Sequence, residues 1–278
     1  MKSLRSHPNT WVQFPRRPPV SRHSSSSPLT AGPRKAARTV VFHGGKGGVG
    51  TTFLAAEAAA SLSSTGGAVV AVDLDLHRGA LHYRLDVPLL RETFTVMDLL
   101  PVLDDLSERV LDNALSLCPC GAMLLPAPAA PAIGSAAKPG LFGSLADALA
   151  IRFDHVIVDT HASLDDTVLA VAGAADLLVL VITPEIACLG GAKRALDTLN
   201  SRGVGTSLSL VVNRSLGDSD DIKLSDIESF LGLPVTIVLP EDLARCRRAA
   251  DEGRFLSAER STLGDGIRAM TRRVFRLD

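Results

Sequence analysis

Short runs of β-branched and aliphatic residues alternate along this chain with longer segments whose apolar positions recur every three or four residues. Residues 39–42, 68–72, 123–125, 153–160, 177–182, 208–212 and 235–239 read as strands. Most are apolar throughout rather than alternating, which is the pattern of parallel strands covered on both faces. Residues 53–63, 95–100, 103–115, 163–174, 187–201 and 263–276 carry helical periodicity. A further helix runs from the Pro240-Glu241-Asp242 turn to about residue 252, and a short one opens at a Ser225-x-x-Glu228 capping box. Strands and helices taking turns from residue 39 onward predict one α/β domain, a doubly wound and mostly parallel sheet.

The first strand runs into Gly44-Gly45-Lys46-Gly47-Gly48-Val49-Gly50-Thr51-Thr52, and a helix follows at once. Glycines allow successive backbone N–H groups to turn inward on an anion, which the positive end of the helix dipole also favours. The stretch is a phosphate cradle. Gly45, Gly50 and Thr52 match the P-loop pattern G-x-x-x-x-G-K-[ST], but Thr51 stands at the lysine position and Lys46 lies early in the loop. Gly45-x-Gly47-x-x-Gly50 also satisfies the dinucleotide fingerprint, with Asp73 near the spacing of a ribose-binding acid. A lysine within the loop, two threonines opening the helix and acids further along favour the P-loop over this Rossmann alternative.

Those acids close two of the strands. Asp73-Leu74-Asp75 follows residues 68–72, and Val156-Ile157-Val158 ends in Asp159, the Walker B pattern. Ligands of open α/β sheets gather at this edge. A hydrated Mg²⁺ meets one or two protein oxygens besides phosphate, and the Thr52 hydroxyl and Asp159, the latter through water, suit that chemistry.

Lys46-Gly47-Gly48-Val49-Gly50-Thr51-Thr52 resembles the deviant Walker A motif of the MinD/ParA family, whose usual form reads KGGVGKT. The threonine at 51, and the run from Asp75 to Asp86 in place of Pro-Gln-Gly after the second acid, are similar to the CpaE/TadZ branch, which places and assembles Flp-type pili. The resemblance implies ATP and Mg²⁺ binding and a nucleotide-sandwiched homodimer in which Lys46 reaches the partner's phosphates. It further implies that Asp75 positions the attacking water, that Asn213 reads adenine and that the Pro240 loop packs beside the base. His161 stands where the family usually has proline; a packing histidine is the expected role. With Thr51 for lysine, slow hydrolysis is expected. Partners implied are pilus, secretion or polarity proteins. DNA partition, division-site placement and a non-hydrolysing scaffold are the alternatives.

Composition adds an asymmetry. Residues 1–38 hold eight Lys or Arg, no acid and four consecutive serines, so they read as a basic disordered tail, with 39–278 as the ATPase domain. Removing those eight from 29 basic residues leaves 21 against 30 acids, a charge near −9. The domain is therefore no basic nucleic-acid binder, whereas the tail suits an anionic membrane, nucleic acid or acidic partner. No apolar stretch approaches a membrane span, and the N-terminus lacks a signal peptide's apolar core, which predicts a cytoplasmic protein; the family resemblance adds a peripheral place at the inner membrane or a cell pole as an option. Cys118, Cys120, Cys188 and Cys246 show no zinc or redox spacing. The Pro- and Ala-rich run at 126–140 reads as a partner-facing loop. The last helix sets Ile267, Met270, Val274 and Leu277 against Arg268, Arg272, Arg273 and Arg276, the pattern of a core helix or of an interfacial membrane helix.

Overall fold

Eight strands form one sheet: β1 (Arg38–Gly44), β2 (Val69–Asp73), β3 (Ser116–Leu117), β4 (Met123–Leu125), β5 (His155–Asp159), β6 (Leu177–Ile182), β7 (Ser207–Ser215) and β8 (Val235–Pro240). Their spatial order is β3-β4-β2-β5-β1-β6-β7-β8, and every pairing is parallel except β3 with β4. The computed structural model describes residues 37–90, 92–105, 108–130 and 138–277, all within the compact unit Arg34–Asp278. Most of the expected tail, and residues 131–137 of the expected loop, lie outside the described residues. Arg38, counted with the tail by composition, opens β1.

The helices are α1 (Thr51–Ser63), α2 (Leu81–Arg84), α3 (Val96–Leu99), α4 (Glu108–Ala114), α5 (Gly140–Ala150), α6 (Asp166–Ala174), α7 (Ile186–Ser201), α8 (Leu224–Leu231), α9 (Leu243–Asp251) and α10 (Thr262–Phe275). The β1–α1–β2 crossover steps one way across the sheet, while β5–α6–β6 and β6–α7–β7 step the other. Right-handed crossovers therefore place α1 on one face and α6 and α7 on the opposite one. Packing agrees: α1 lies against α10, and α5 against α6. The order reverses around β1, so the glycine loop leaves the sheet at its switch point.

Core strands are apolar throughout because both faces are covered. Val40, Val41, Phe42, Val156, Ile157, Val158 and all of β6 are buried. A carboxylate of a neighbouring helix is buried with them. Glu57 of α1 accepts N–H groups from Leu256 and Ser257 at 3.0 and 2.9 Å and pairs with Arg84 at 3.1 Å, pinning α1 to the turn before α10. Burial raises its pKa, and the bonds and the Arg84 charge oppose that rise.

Two expectations change, and one choice between alternatives closes. The Ser225/Glu228 capping box does not form, because α8 starts two residues earlier, with Lys223 at its N-cap; Glu228 instead accepts the Val235 N–H at 2.7 Å and starts β8. The apolar stripe of α10 is a core face, since Ile267, Met270 and Val274 are buried under the sheet. Pro126 and Ala127, which begin the expected loop, are also buried, and the Pro126 carbonyl accepts the Val96 N–H. Among the described residues no helix is long and apolar enough to cross a membrane.

Candidate nucleotide site

The cradle begins where β1 ends. Gly45 N–H bonds the Val181 carbonyl at 2.9 Å, so β6 fixes the mouth of the loop. Gly48 and Gly50 have φ of +83° and +99°, a region strained for residues with a Cβ. Gly50 caps α1 without any side-chain hydrogen bond, and no acid occupies the first turn. The opening N–H groups of α1 are thus left to the loop side, in the arrangement that favours phosphate.

Asn213, near the end of β7, is buried and donates Nδ2 to the Val49 carbonyl at 2.8 Å. A methyl on Gly50 would stand 2.6 Å from that Nδ2, so glycine serves close packing here as well as conformation. Asn213 therefore holds the loop with one of its two amide hydrogens.

The two strands on the other side of β1, β5 and β2, carry the acids. The Thr52 side chain lies beside the buried Asp159 carboxylate and opposes the rise of its pKa, and among the described residues Asp159 Oδ1 has no hydrogen-bond partner. Asp73 stands directly across from Asp159 in the β2/β5 register. Burial pushes Asp73 up to about 6, and burial together with the Asp73 charge pushes Asp159 well above the usual carboxylate range. Asp73 accepts the Asp75 and Leu81 N–H groups, both at 3.0 Å, and so shapes the turn that carries Asp75. Asp75 Oδ1 in turn accepts the Arg78 N–H at 3.0 Å. A methyl on Gly79 would meet Ala127 Cβ at 2.4 Å, which keeps this turn close to the core.

Lys46 bonds Glu185, just ahead of α7, at 2.5 Å, and Glu185 also accepts the Thr183 hydroxyl at 3.1 Å. Side-chain exposures of 38% and 52% make this an exposed pair, worth about 0.2–1 kcal/mol and easily opened. A cavity of about 360 Å³ adjoins it, lined by Gly45, Lys46, Ala162, Leu164, Gly191 and Arg194 among others. Arg194 lies on α7 one turn beyond Gly190 and Gly191.

His43 and His161 flank Asp159. Thr160 donates its hydroxyl to the Phe42 carbonyl at 2.9 Å and so accepts from His43 Nδ1 at 3.0 Å. Burial lowers His43 to about 4, leaving it neutral. His161 Nε2 lies 3.0 Å from Asp165 Oδ2, the α6 N-cap, and its ring meets His77 edge-on at 6.2 Å.

The AAA domain family matches residues 37–206. The septum site-determining protein MinD of Synechocystis is 31% identical over 212 residues, which cover 74% of this chain and 76% of that protein. The chain belongs to the MinD/ParA family of P-loop ATPases. A ParA family ATPase from Chlorobium tepidum superposes with a TM-score of 0.76 at 26% identity, covering 85% of this chain and 98% of that one. MinD of Pyrococcus horikoshii, solved with Mg-ADP, gives 0.71 at 23% identity over 86% and 96%.

In this MinD/ParA fold the loop, Thr52, Asp159 and Asn213 come together, and Asp75 sits at the same sheet edge. Pro240 ends β8 in register with Ser215, one strand over from Asn213's strand. Glu185 and Arg194 are additions that sequence reasoning missed, because they approach Lys46 only through the β6–α7 fold. Asp73, named from the sequence as the first acid of D-x-D and as a candidate ribose contact, instead shapes the turn that carries Asp75.

Proposed function

We propose that this chain is an ATP- and Mg²⁺-binding switch whose nucleotide state controls dimerisation and, through it, the placing of a membrane-associated assembly. The observation that carries the reading is the Thr52–Asp159 pair beside the glycine loop. A hydroxyl and a buried carboxylate with an unpartnered oxygen suit a hydrated Mg²⁺ on phosphate. That pair also favours the P-loop over the Rossmann alternative. Gly45 to Thr52 would cradle the phosphates, Asn213 and Pro240 would flank the base, and Thr52 and Asp159 would hold the metal. When bound, Mg²⁺ supplies positive charge against the phosphate oxygens.

Lys46, released from Glu185, would serve a partner's phosphates, and Arg194 adds a second cation on the same cavity. Asp75 would orient water. Thr51 leaves the site without the usual loop lysine, and loss of one such charge costs about 10²–10³ in rate. Slow turnover follows, and a non-hydrolysing scaffold is the second reading that Thr51 favours. Within the family, the Asp75–Asp86 run supports the pilus-placing CpaE/TadZ branch. Partition and division-site roles are the readings that ParA and MinD relatives support.

Light scattering of the full chain with Mg-ATP or Mg-ADP tests the switch. An ATP-specific dimer that Lys46→Ala abolishes is expected. A mass indifferent to nucleotide would overturn the switch in favour of the scaffold. Phosphate release lost in Asp75→Ala would exclude the pure scaffold.

A further inference from the structure

At the opposite edge of the sheet, where β1 and β5 begin, a second cavity of about 920 Å³ is lined by Arg38, Arg272, Arg273 and Arg276, with Asp154 and Asp176. Four arginines, one at the start of β1 and three at the end of α10, border it together with two carboxylates, and one of them, Arg273, already donates to the Thr236 carbonyl. Both carboxylates already serve the backbone: Asp154 accepts the Ala68 N–H and Asp176 the Thr39 N–H, each at 2.8 Å. Positive charge is left in excess.

Cations near a helix C-terminus are favoured by its dipole, which accounts for Arg272 and Arg273 without any ligand. Arg38 and Arg276 are different. Arg38 donates Nε to the Val274 carbonyl at 2.7 Å, which holds its guanidinium against the end of α10. Burial and the nearby Arg276 charge lower the Arg38 pKa, the mark of two cations kept close. Arg276 itself ends the helix at φ 51° and ψ 49°, a left-handed position usually filled by glycine. A position that glycine would suit better carries arginine, beside another arginine that it repels.

We propose that this cavity is an anion site for a ligand bearing two or more phosphate groups, or a phosphodiester headgroup with further negative charge. Guanidinium forks bind phosphate oxygens in pairs, and an anion between Arg38 and Arg276 would turn their repulsion into shared attraction. The volume lies in the range of small-molecule sites. A free oligophosphate and an anionic lipid headgroup share this chemistry. The site is separate from the glycine loop, which lies at the other end of β1.

The test is calorimetric titration of the full chain with tripolyphosphate after the glycine loop has been saturated with Mg-ADP. Wild type should bind, and Arg272→Glu and Arg276→Glu should each lose at least about tenfold in affinity while binding Mg-ADP as before. Arg276→Gly relieves the left-handed backbone, so it should fold at least as stably and still lose affinity, which separates ligand binding from fold damage. Co-sedimentation with phosphatidylglycerol vesicles, lost in the same variants, would assign the site to a lipid headgroup; binding of tripolyphosphate alone would assign it to a soluble anion. Absence of both interactions, or binding that the arginine variants leave intact, would overturn the proposal. Binding that is seen only without Mg-ADP would belong to the glycine loop and overturn it equally.

Discussion

Asp73 and Asp159 stand opposite one another on β2 and β5, both buried, with Thr52 beside Asp159. Each has its pKa raised, so the folded chain keeps protons that the unfolded chain has already released. Stability of the nucleotide-free protein should therefore fall as pH rises from about 4, through the Asp73 value of about 6, and onward as Asp159 ionises. Asp159→Asn removes one of the two charges. Denaturant unfolding at pH 8 should find the variant more stable than wild type by about 1–3 kcal/mol, with the gap closing towards pH 4. Mg²⁺-dependent nucleotide binding should be lost in the same variant. A variant less stable at pH 8 would mean that the pair is a net structural asset and not a site awaiting a cation.

Glu185 restrains Lys46 through an exposed ion pair, and that pair competes with any phosphate Lys46 could reach. Glu185→Gln should leave unfolding stability within about 1 kcal/mol of wild type. If Lys46 acts across a dimer, ATP-dependent dimerisation measured by light scattering should tighten by up to about fivefold, the factor that an exposed pair's energy allows. Weaker dimerisation would show that Glu185 makes an interface contact of its own.

What could be read from the sequence follows from how far apart the interacting residues are. β5 and β6 are buried on both faces, so their apolar runs announced them, and the glycine loop was legible because it is contiguous from Gly44 to Thr52. α5 is absent from the predicted helices although Phe142, Leu145, Ala146 and Leu149 make a helical stripe, because it follows directly on a Pro-rich run and opens at Gly140 without a side-chain cap. β3 has two residues and no periodicity to detect. The Ser225/Glu228 spacing was a real local signal, but Glu228 bonds Val235 once β8 lies beside it. Lys46 and Glu185 are 139 positions apart, and Asn213 and Val49 are 164 apart, so only the folded sheet pairs them.

Gly191 of α7 lies against the loop so closely that an added methyl would fall 1.8 Å from the Gly45 carbonyl oxygen. Glycine to alanine within a helix normally stabilises by up to about 1 kcal/mol. Gly191→Ala should do the reverse, lowering stability by about 1–3 kcal/mol through overpacking and weakening nucleotide binding as the loop shifts. Gly190→Ala is the matched control, because its methyl would meet nothing nearer than an Arg194 guanidinium nitrogen at 3.6 Å. Thermal unfolding of the two variants should move in opposite directions. A shift in the same direction would mean that α7 gives way and does not set the loop's position.

Asn213 is asked to do two things, and one substitution separates them. Its Nδ2 holds the buried Val49 carbonyl, so Asn213→Ala leaves that acceptor without its partner and should cost about 1–3 kcal/mol in unfolding free energy. Its remaining N–H and its Oδ1 are an amide edge able to donate and accept at once, the pattern that would distinguish adenine from guanine. The same variant should therefore lose any preference for ATP over GTP in direct binding measurements, beyond a common loss caused by the loosened loop. Stability loss with the ATP preference intact would confine Asn213 to holding the loop and move base recognition elsewhere, with the Pro240 turn at the end of β8 as the next segment to vary. Loss of preference without loss of stability would mean that Val49 finds another donor when the amide is removed. The Val49 contact would then matter less to the fold than its 2.8 Å geometry suggests.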